Sequence, residues 1–553
     1  MKKFLILSVT IGVVLLLLNS CYKDKGVYDY HDINDIIVEL PESKTISLPL
    51  VDSIMVEIVP QVSQVFIEGE DNLRYLWEKV NTAAGNNGEW PVCGREKVCK
   101  YWVKATDSGS ARLRLTITDT IENIKVYREI VLRYVESYSQ CWFVLQNIDG
   151  QSVLGAVDGS GSSRNIYQNV YGKNAQNFTG TPVCLAVNNN HIRPGQDYPQ
   201  ASNPECILQV MTSNNGYQLD LKNLSVRYPY NLMLIQKPGN YQPTYAISDC
   251  AGEIILDNGE CWFAIPNGLS IYYPVRLSQD LGSSYRATMA SVINSTYCFI
   301  FDDANKRFMY YENSDLSADW WNQKKIRGGD YSLYDANNSL VNGKTLQPIG
   351  ENTTAPNEFD PNNIGGDKKV VYMGATTDTE ASKCMALATS GNAVYVYEFS
   401  IKGFSNADIK RCSYHAQFTP VGDVNECKFA TSSYFDRMFF YASGNKIYRV
   451  DLNRAQPEGF VIYEHPDPKA KFTNLRFLSN RKDFGRWISE EVFEYFHVNK
   501  ILGGVIENAD GTSSLLEMDL TGGGEVKLGK DGKPIVYKFD GFKNVVDIAY
   551  VYK

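Results

Sequence analysis

The sequence predicts an all-β protein, an immunoglobulin-like sandwich followed by a β-propeller of about seven blades. Three observations predict it. Tyr, Phe and Gly are abundant, at 36, 24 and 42 of 553 residues, and this composition favours strands and tight turns over helices. Apolar and polar residues alternate with period two in the first part of the chain, as half-buried strands require. Beyond it, a strand–turn–strand pattern recurs every 50 to 70 residues or so, roughly the spacing of four-stranded propeller blades.

Composition also sets limits. Hydrophobic residues at 44% and charged residues at 21% match a globular chain and exclude wholesale disorder, collagen-like and coiled-coil architectures. A formal net charge of −9 lacks the basic excess that neutralises phosphates, so nucleic acid is not an expected partner.

The chain opens on an address. Lys2 and Lys3 precede an apolar run from Phe4 to Leu18, short for a bilayer span and the right size for a signal peptide. The run ends in Leu18-Asn19-Ser20-Cys21, which resembles a bacterial lipobox. Residues 1–20 are therefore read as a lipoprotein signal peptide, Cys21 as the lipidated residue and 21–27 as a tether. A cleaved secretory signal with an incidental Cys is the alternative. No later stretch reaches the roughly 20 apolar residues of a membrane helix, so the expected membrane attachment is the lipid anchor.

Residues 28–137 read as the sandwich. Strand patterns occur at Ile36–Leu40, Thr45–Leu50, Ile54–Pro60, Leu73–Glu78 and Ala111–Asp119. About seven short strands in about 110 residues suit two packed sheets, and Trp77 in mid-strand is the expected plug between them. Cys93 and Cys99 flank Gly94-Arg95-Glu96-Lys97. This could be a hairpin tip closed by a local disulfide, or two unpaired thiols. Cys141, Cys261, Cys298 and Cys384 lie in apolar runs and read as small hydrophobes.

Cys21-Tyr22-Lys23-Asp24-Lys25-Gly26, then Tyr28-Asp29-Tyr30, Ile33-Asn34-Asp35-Ile36, the Tyr75-Leu76-Trp77 strand and the Leu115–Asp119 strand together resemble the PKD-like family lipoproteins of Bacteroidetes. The Lys-Asp pair after Cys21 is similar to the export signal that carries such lipoproteins to the extracellular side of the outer membrane. The resemblance implies an accessory role beside a SusC-like TonB-dependent transporter and a SusD-like lipoprotein. It supplies no catalytic residues.

Residues 138–553 read as the propeller. Ser390-Gly391-Asn392 and Ser443-Gly444-Asn445 each join an apolar strand to a second one, and Gly-Asn tolerates the positive φ of a tight hairpin. Weaker copies centre on Asp149-Gly150, Asn267-Gly268, Asp303-Ala304-Asn305 and Asp510-Gly511. Val545–Val551 is the expected closing strand, pairing with the blade that opens near Cys141. A stack of separate sandwiches is the alternative.

Reaction chemistry is sparse. Gly524–Lys530 has P-loop spacing, but Asp531 stands where Ser or Thr would hold magnesium, so it reads as a glycine-rich loop. No HExxH, CxxC or Cys/His zinc spacing occurs in the sequence, and no metal, cofactor or catalytic residue is assigned. Asp302-Asp303 and Glu490-Glu491 read as solvated pairs. His31, His191, His415, His465 and His497 are given no role.

The strongest binding signal is a polar insertion at 313–366. It holds nine Asn together with Trp320, Trp321, Tyr331 and Tyr334. Aromatics on a long loop can stack on sugar rings or grip peptides, although they can equally pack the loop onto the propeller. The expected function is a non-enzymatic surface lipoprotein that binds peptide or oligosaccharide for a SusC/SusD-type uptake system. A propeller glycoside hydrolase or lyase is one alternative. A purely structural subunit of the transporter assembly is another.

Overall fold

Alternation of apolar and polar residues is realised as strands along most of the described residues. The structure, a computed structural model, describes residues 33–552 apart from several segments, the longest being 81–89, 192–204, 265–274, 313–346, 349–358 and 479–499. The signal peptide, Cys21 and the tether lie outside the described residues. Among those described, the one helix is a single turn, Tyr230–Met233. The chain forms two compact units, with the main boundary between Arg133 and Tyr134.

The first unit is a sandwich. Strands Ser43–Ser47, Lys125–Val135, Ser110–Asp119, Leu73–Lys79 and Val92–Gly94 lie side by side in that order, while Ser53–Ile58 pairs with Cys99–Lys104 and Ile36–Glu39 with Gln61–Gln64. Trp77 is fully buried and donates its indole N–H to the Lys97 carbonyl at 3.3 Å, so the large plug has the polar partner a buried indole needs. The hairpin expected around Gly94 does not form. Val92–Gly94 edges the five-stranded sheet and Cys99–Lys104 belongs to a different one. Cys93 and Cys99 are accordingly two free thiols.

The second unit is a seven-bladed propeller. Seven four-stranded antiparallel sheets follow one another: blade 2 spans Pro182–Pro229, blade 3 Pro243–Arg276, blade 4 Ala287–Pro348, blade 5 Lys369–Phe418, blade 6 Lys428–Glu464 and blade 7 Lys471–Lys543. Blade 1 takes three strands from Gln140–Tyr167 and its innermost strand, Val545–Tyr552, from the C-terminus. Cys141 faces Val551 and Val144 faces Ile548 in that pairing, the closure expected from the sequence. The inner strands touch in ring order, and the inner strand of blade 7 meets Val545–Tyr552, which meets that of blade 2. Closure of this kind leaves no sheet edge between the first and last blades.

Local chemistry explains the hairpins. Gly391 and Gly444 hold φ near +57° and +58°, a conformation glycine adopts without steric cost. Between blades the core is aromatic: Phe308 packs on Tyr397 and Phe399, and Phe440 on Phe477. Each such buried ring contributes about 2–3 kcal/mol relative to exposure. At the seam, Trp142 lies against Gly503, where a Cβ would overlap the indole.

Gly524–Lys530 falls in the loop between strands Thr512–Asp519 and Val536–Lys543, tied by bridges Leu520–Val526 and Leu528–Pro534. It is the glycine-rich loop expected. Asp302 corrects the reading of a solvated pair. It is fully buried, bonded by Arg307 Nε at 2.9 Å and by the Arg286 backbone N–H at 2.9 Å. Its carboxylate organises the turn from within. Glu490 and Glu491 lie outside the described residues.

Candidate functional site at the mouth of the propeller channel

All the inner strands but that of blade 6 share an irregularity near their starts. The pairing register shifts between Pro182 and Cys184, Pro243 and Tyr245, Ala287 and Met289, Val370 and Tyr372, and Phe472 and Asn474. A matching shift on the closing strand falls between Val545 and Asp547. A bulge inserts one residue, breaks the strict alternation and re-aims the side chain beside it. Here it turns out polar side chains at the axis, Tyr372, Asn474 and Asp547, each reaching a neighbouring inner strand.

Tyr372 lies 3.1 Å from Thr431 Oγ1 and accepts a 2.9 Å bond from the Thr431 backbone N–H. Thr431 Oγ1 in turn donates to the Ala375 carbonyl at 2.9 Å. Asn474 Nδ2 donates to the Val546 carbonyl at 3.0 Å and to Asp547 Oδ1 at 3.2 Å. The other carboxylate oxygen, Asp547 Oδ2, accepts from Leu185 N at 2.8 Å and from Arg476 Nη1 at 3.0 Å. Arg476 Nη1 also meets the carbonyls of Leu185 and Ile548, at 3.0 and 2.9 Å. One guanidinium thus clamps three inner strands, those of blades 7, 1 and 2.

Burial opposes the charge on Arg476, but the Asp547 carboxylate, with Tyr245 and Cys184 near it, more than offsets this and holds the guanidinium firmly protonated. Burial first, with Cys384 adding a little, pushes the phenol of Tyr372 up against the opposing bonds from Thr431 and the charge of Arg476. Cys184 is pushed up to about 12, first by burial and then by Asp547, so its thiol stays neutral and unreactive.

A cavity of about 380 Å³ opens where the inner strands of blades 5, 6 and 7 begin, within the size range of small-ligand sites. Tyr372, Asn474, Asn425 and Thr473 supply hydroxyl and amide groups to its wall. Lys369 and Lys428 carry the charge there, and no carboxylate lines it. Such a wall can exchange several hydrogen bonds with a polar molecule.

The aromatic residues singled out in the insertion, Trp320, Trp321, Tyr331 and Tyr334, lie outside the described residues. The insertion, 313–366, follows the third strand of blade 4, Arg307–Glu312, and includes its short fourth strand, Gln347–Pro348. Near its end, Phe359 and Ile364 pack into the core shared by blades 4 and 5. Sequence reasoning missed Lys369, Tyr372, Lys428, Asn474, Arg476 and Asp547. The available signal was the polar residue breaking an otherwise apolar inner strand, as in Phe472-Thr473-Asn474-Leu475-Arg476-Phe477.

The described residues contain no group of three or more His, Cys, Asp or Glu arranged to hold a metal ion. Among them, no helix is long and apolar enough to cross a membrane.

The model of the PKD-like family matches residues 21–182. Over this segment the chain is similar to the PKD-like family. The PKD-like segment takes in the whole sandwich and runs on through the strands Gln140–Tyr167 of blade 1 to the start of blade 2. Comparison with curated proteins gives no match. Among solved structures the chain is similar to a quinonprotein alcohol dehydrogenase-like protein from Bacteroides thetaiotaomicron, with 13% identity, 92% of this chain and 96% of that one covered, and a TM-score of 0.41. It is also similar to apo AztD from Citrobacter koseri, with 6% identity, 87% and 98% covered, and a TM-score of 0.33. Likenesses this distant assign no activity.

Proposed function

We propose that this protein is a non-enzymatic, lipid-anchored accessory lipoprotein of the outer membrane, facing the extracellular side. In this reading it captures a peptide or oligosaccharide for a SusC-like TonB-dependent transporter and its SusD-like partner. The observation that carries the binding role is the polar cavity at the channel mouth, walled by Tyr372 and Asn474, side chains that bulged inner strands hold in fixed bonds. Rigid scaffolds that present preorganised polar groups lose little entropy on binding. Asp547 supports a role without catalysis, because its two oxygens are committed to Asn474, Leu185 and Arg476. The lipobox at Leu18–Cys21 and the PKD-like segment support the anchored, accessory setting. An anchor confines the protein near a transporter and raises its effective concentration there.

The test is equilibrium binding of residues 22–553 to panels of oligosaccharides and peptides, paired with Asn474→Ala. The expected result is saturable binding that the variant weakens at least tenfold without cleavage of the ligand. Turnover of any panel member would overturn the non-enzymatic reading. Absence of binding across both panels would leave the scaffold alternative.

A further inference from the structure

Charge singles out the cavity. The whole chain is acidic, at −9, yet the wall carries Lys369 and Lys428 and no carboxylate. Among the described residues neither lysine is engaged in a salt bridge, whereas Lys471 on the same face of the ring meets Glu426 at 3.8 Å. Two unneutralised ammonium groups on adjacent blades therefore sit over one small hollow, with hydroxyl and amide groups beneath them. Such an arrangement favours an anion against the field of the rest of the protein. The hollow also offers Tyr372, a partly exposed ring that can lie against the C–H face of a sugar.

We propose, resting on the binding role assigned above, that the cavity is selective for an acidic oligosaccharide. A uronate-type carboxylate would lie between Lys369 and Lys428 and the ring hydroxyls would meet Asn425, Thr473 and Asn474. Charge-assisted bonds of this kind are the strong ones, and partly exposed pairs weaken with salt.

Calorimetric titration of residues 22–553 with trigalacturonate, with neutral galactotriose and with a triglutamate peptide tests it. Trigalacturonate is expected to bind at least tenfold tighter than galactotriose, with an affinity that falls as salt rises. The double variant Lys369→Gln/Lys428→Gln is expected to remove this preference while keeping the melting temperature. Lys446→Gln, on a lysine paired elsewhere with Glu464, is expected to change nothing. Equal affinity for the neutral sugar, or an unaltered double variant, overturns the acidic selectivity and leaves the binding role standing. Tighter binding of triglutamate overturns the sugar assignment. Binding of none of the three overturns the selectivity, and the broader panels then decide the binding role separately.

Discussion

Trp142 donates its indole N–H to Glu517 at 2.6 Å, across 375 residues of chain. Arg164 grips the same carboxylate through both its terminal nitrogens, one at 2.8 Å, and both charged side chains are almost wholly buried. Blade 1 is thereby fastened to blade 7 at the seam.

Removing one partner of a buried, hydrogen-bonded pair strands the other charge. Glu517→Ala is expected to destabilise the propeller by about 3–5 kcal/mol. Gly503→Ala, which drives a methyl into the Trp142 ring, is expected to cost about 1–3 kcal/mol by overpacking. Urea denaturation followed by tryptophan fluorescence measures both. Either variant unfolding at the wild-type midpoint would mean the seam is not under load.

Arg476 holds three inner strands through one nitrogen. Its replacement by Ala is expected to cost about 2–3 kcal/mol, the scale of lost bonds to a charged group. Arg476→Lys is expected to recover only part, since the lysine side chain is one atom shorter and its compact ammonium stops short of the Nη1 position. Full recovery by Lys, seen as a restored midpoint, would reduce the clamp to a simple charge.

The sandwich contains its own acid-sensitive element. Burial raises the carboxyl of Asp119, but N–H bonds from Ile121 and Glu122 and from Asn72 and Asn34 outweigh it and hold the group below the usual range. A folded-state pKa below the unfolded one, about 3.9, contributes stability that is present above that value and lost as pH falls through the folded pKa. Sandwich stability is therefore expected to drop with pH below about 4, and Asp119→Asn to flatten that slope. An unchanged slope in the variant would assign the acid response to other carboxylates.

The thiols give a prediction about reactivity. Cys99 is fully buried and pushed up to about 12, by burial first and by Cys93 second. Cys93 is half-buried, and burial raises its thiol as well. Alkylation of native protein at pH 8, read by peptide mass spectrometry, is expected to label Cys93 slowly and Cys99 only after unfolding. A Cys93–Cys99 disulfide in the purified protein would restore the pairing considered from the sequence.

What the sequence disclosed was local. Gly391 and Gly444 mark their hairpins because a positive φ has a residue signature. Trp77 and the closing strand after Asn544 show in alternating patterns a few residues long. The channel mouth was hidden because its bonds join distant positions, Tyr372 with Thr431 over 59 residues and Asn474 with Asp547 over 73. Bulges hide it further, since one extra residue breaks the period that a pattern search follows. Asp302 misled for a related reason. A turn carboxylate and a buried turn-organising carboxylate have the same sequence neighbours, and only Arg307 and the Arg286 backbone distinguish them.

Because the innermost strand of blade 1 is supplied by Val545–Tyr552, about 400 residues after the other three, the ring stays open until that strand has been synthesised. The sandwich can mature as soon as it emerges, but a product that stops before Val545 leaves a blade without its core strand. It also exposes the unpaired side of Gln140–Ile148, the kind of edge that aggregates or is degraded. Val545–Tyr552 thus acts as the latch of the ring, and a disruption of that strand tests the propeller more severely than one placed on its loops.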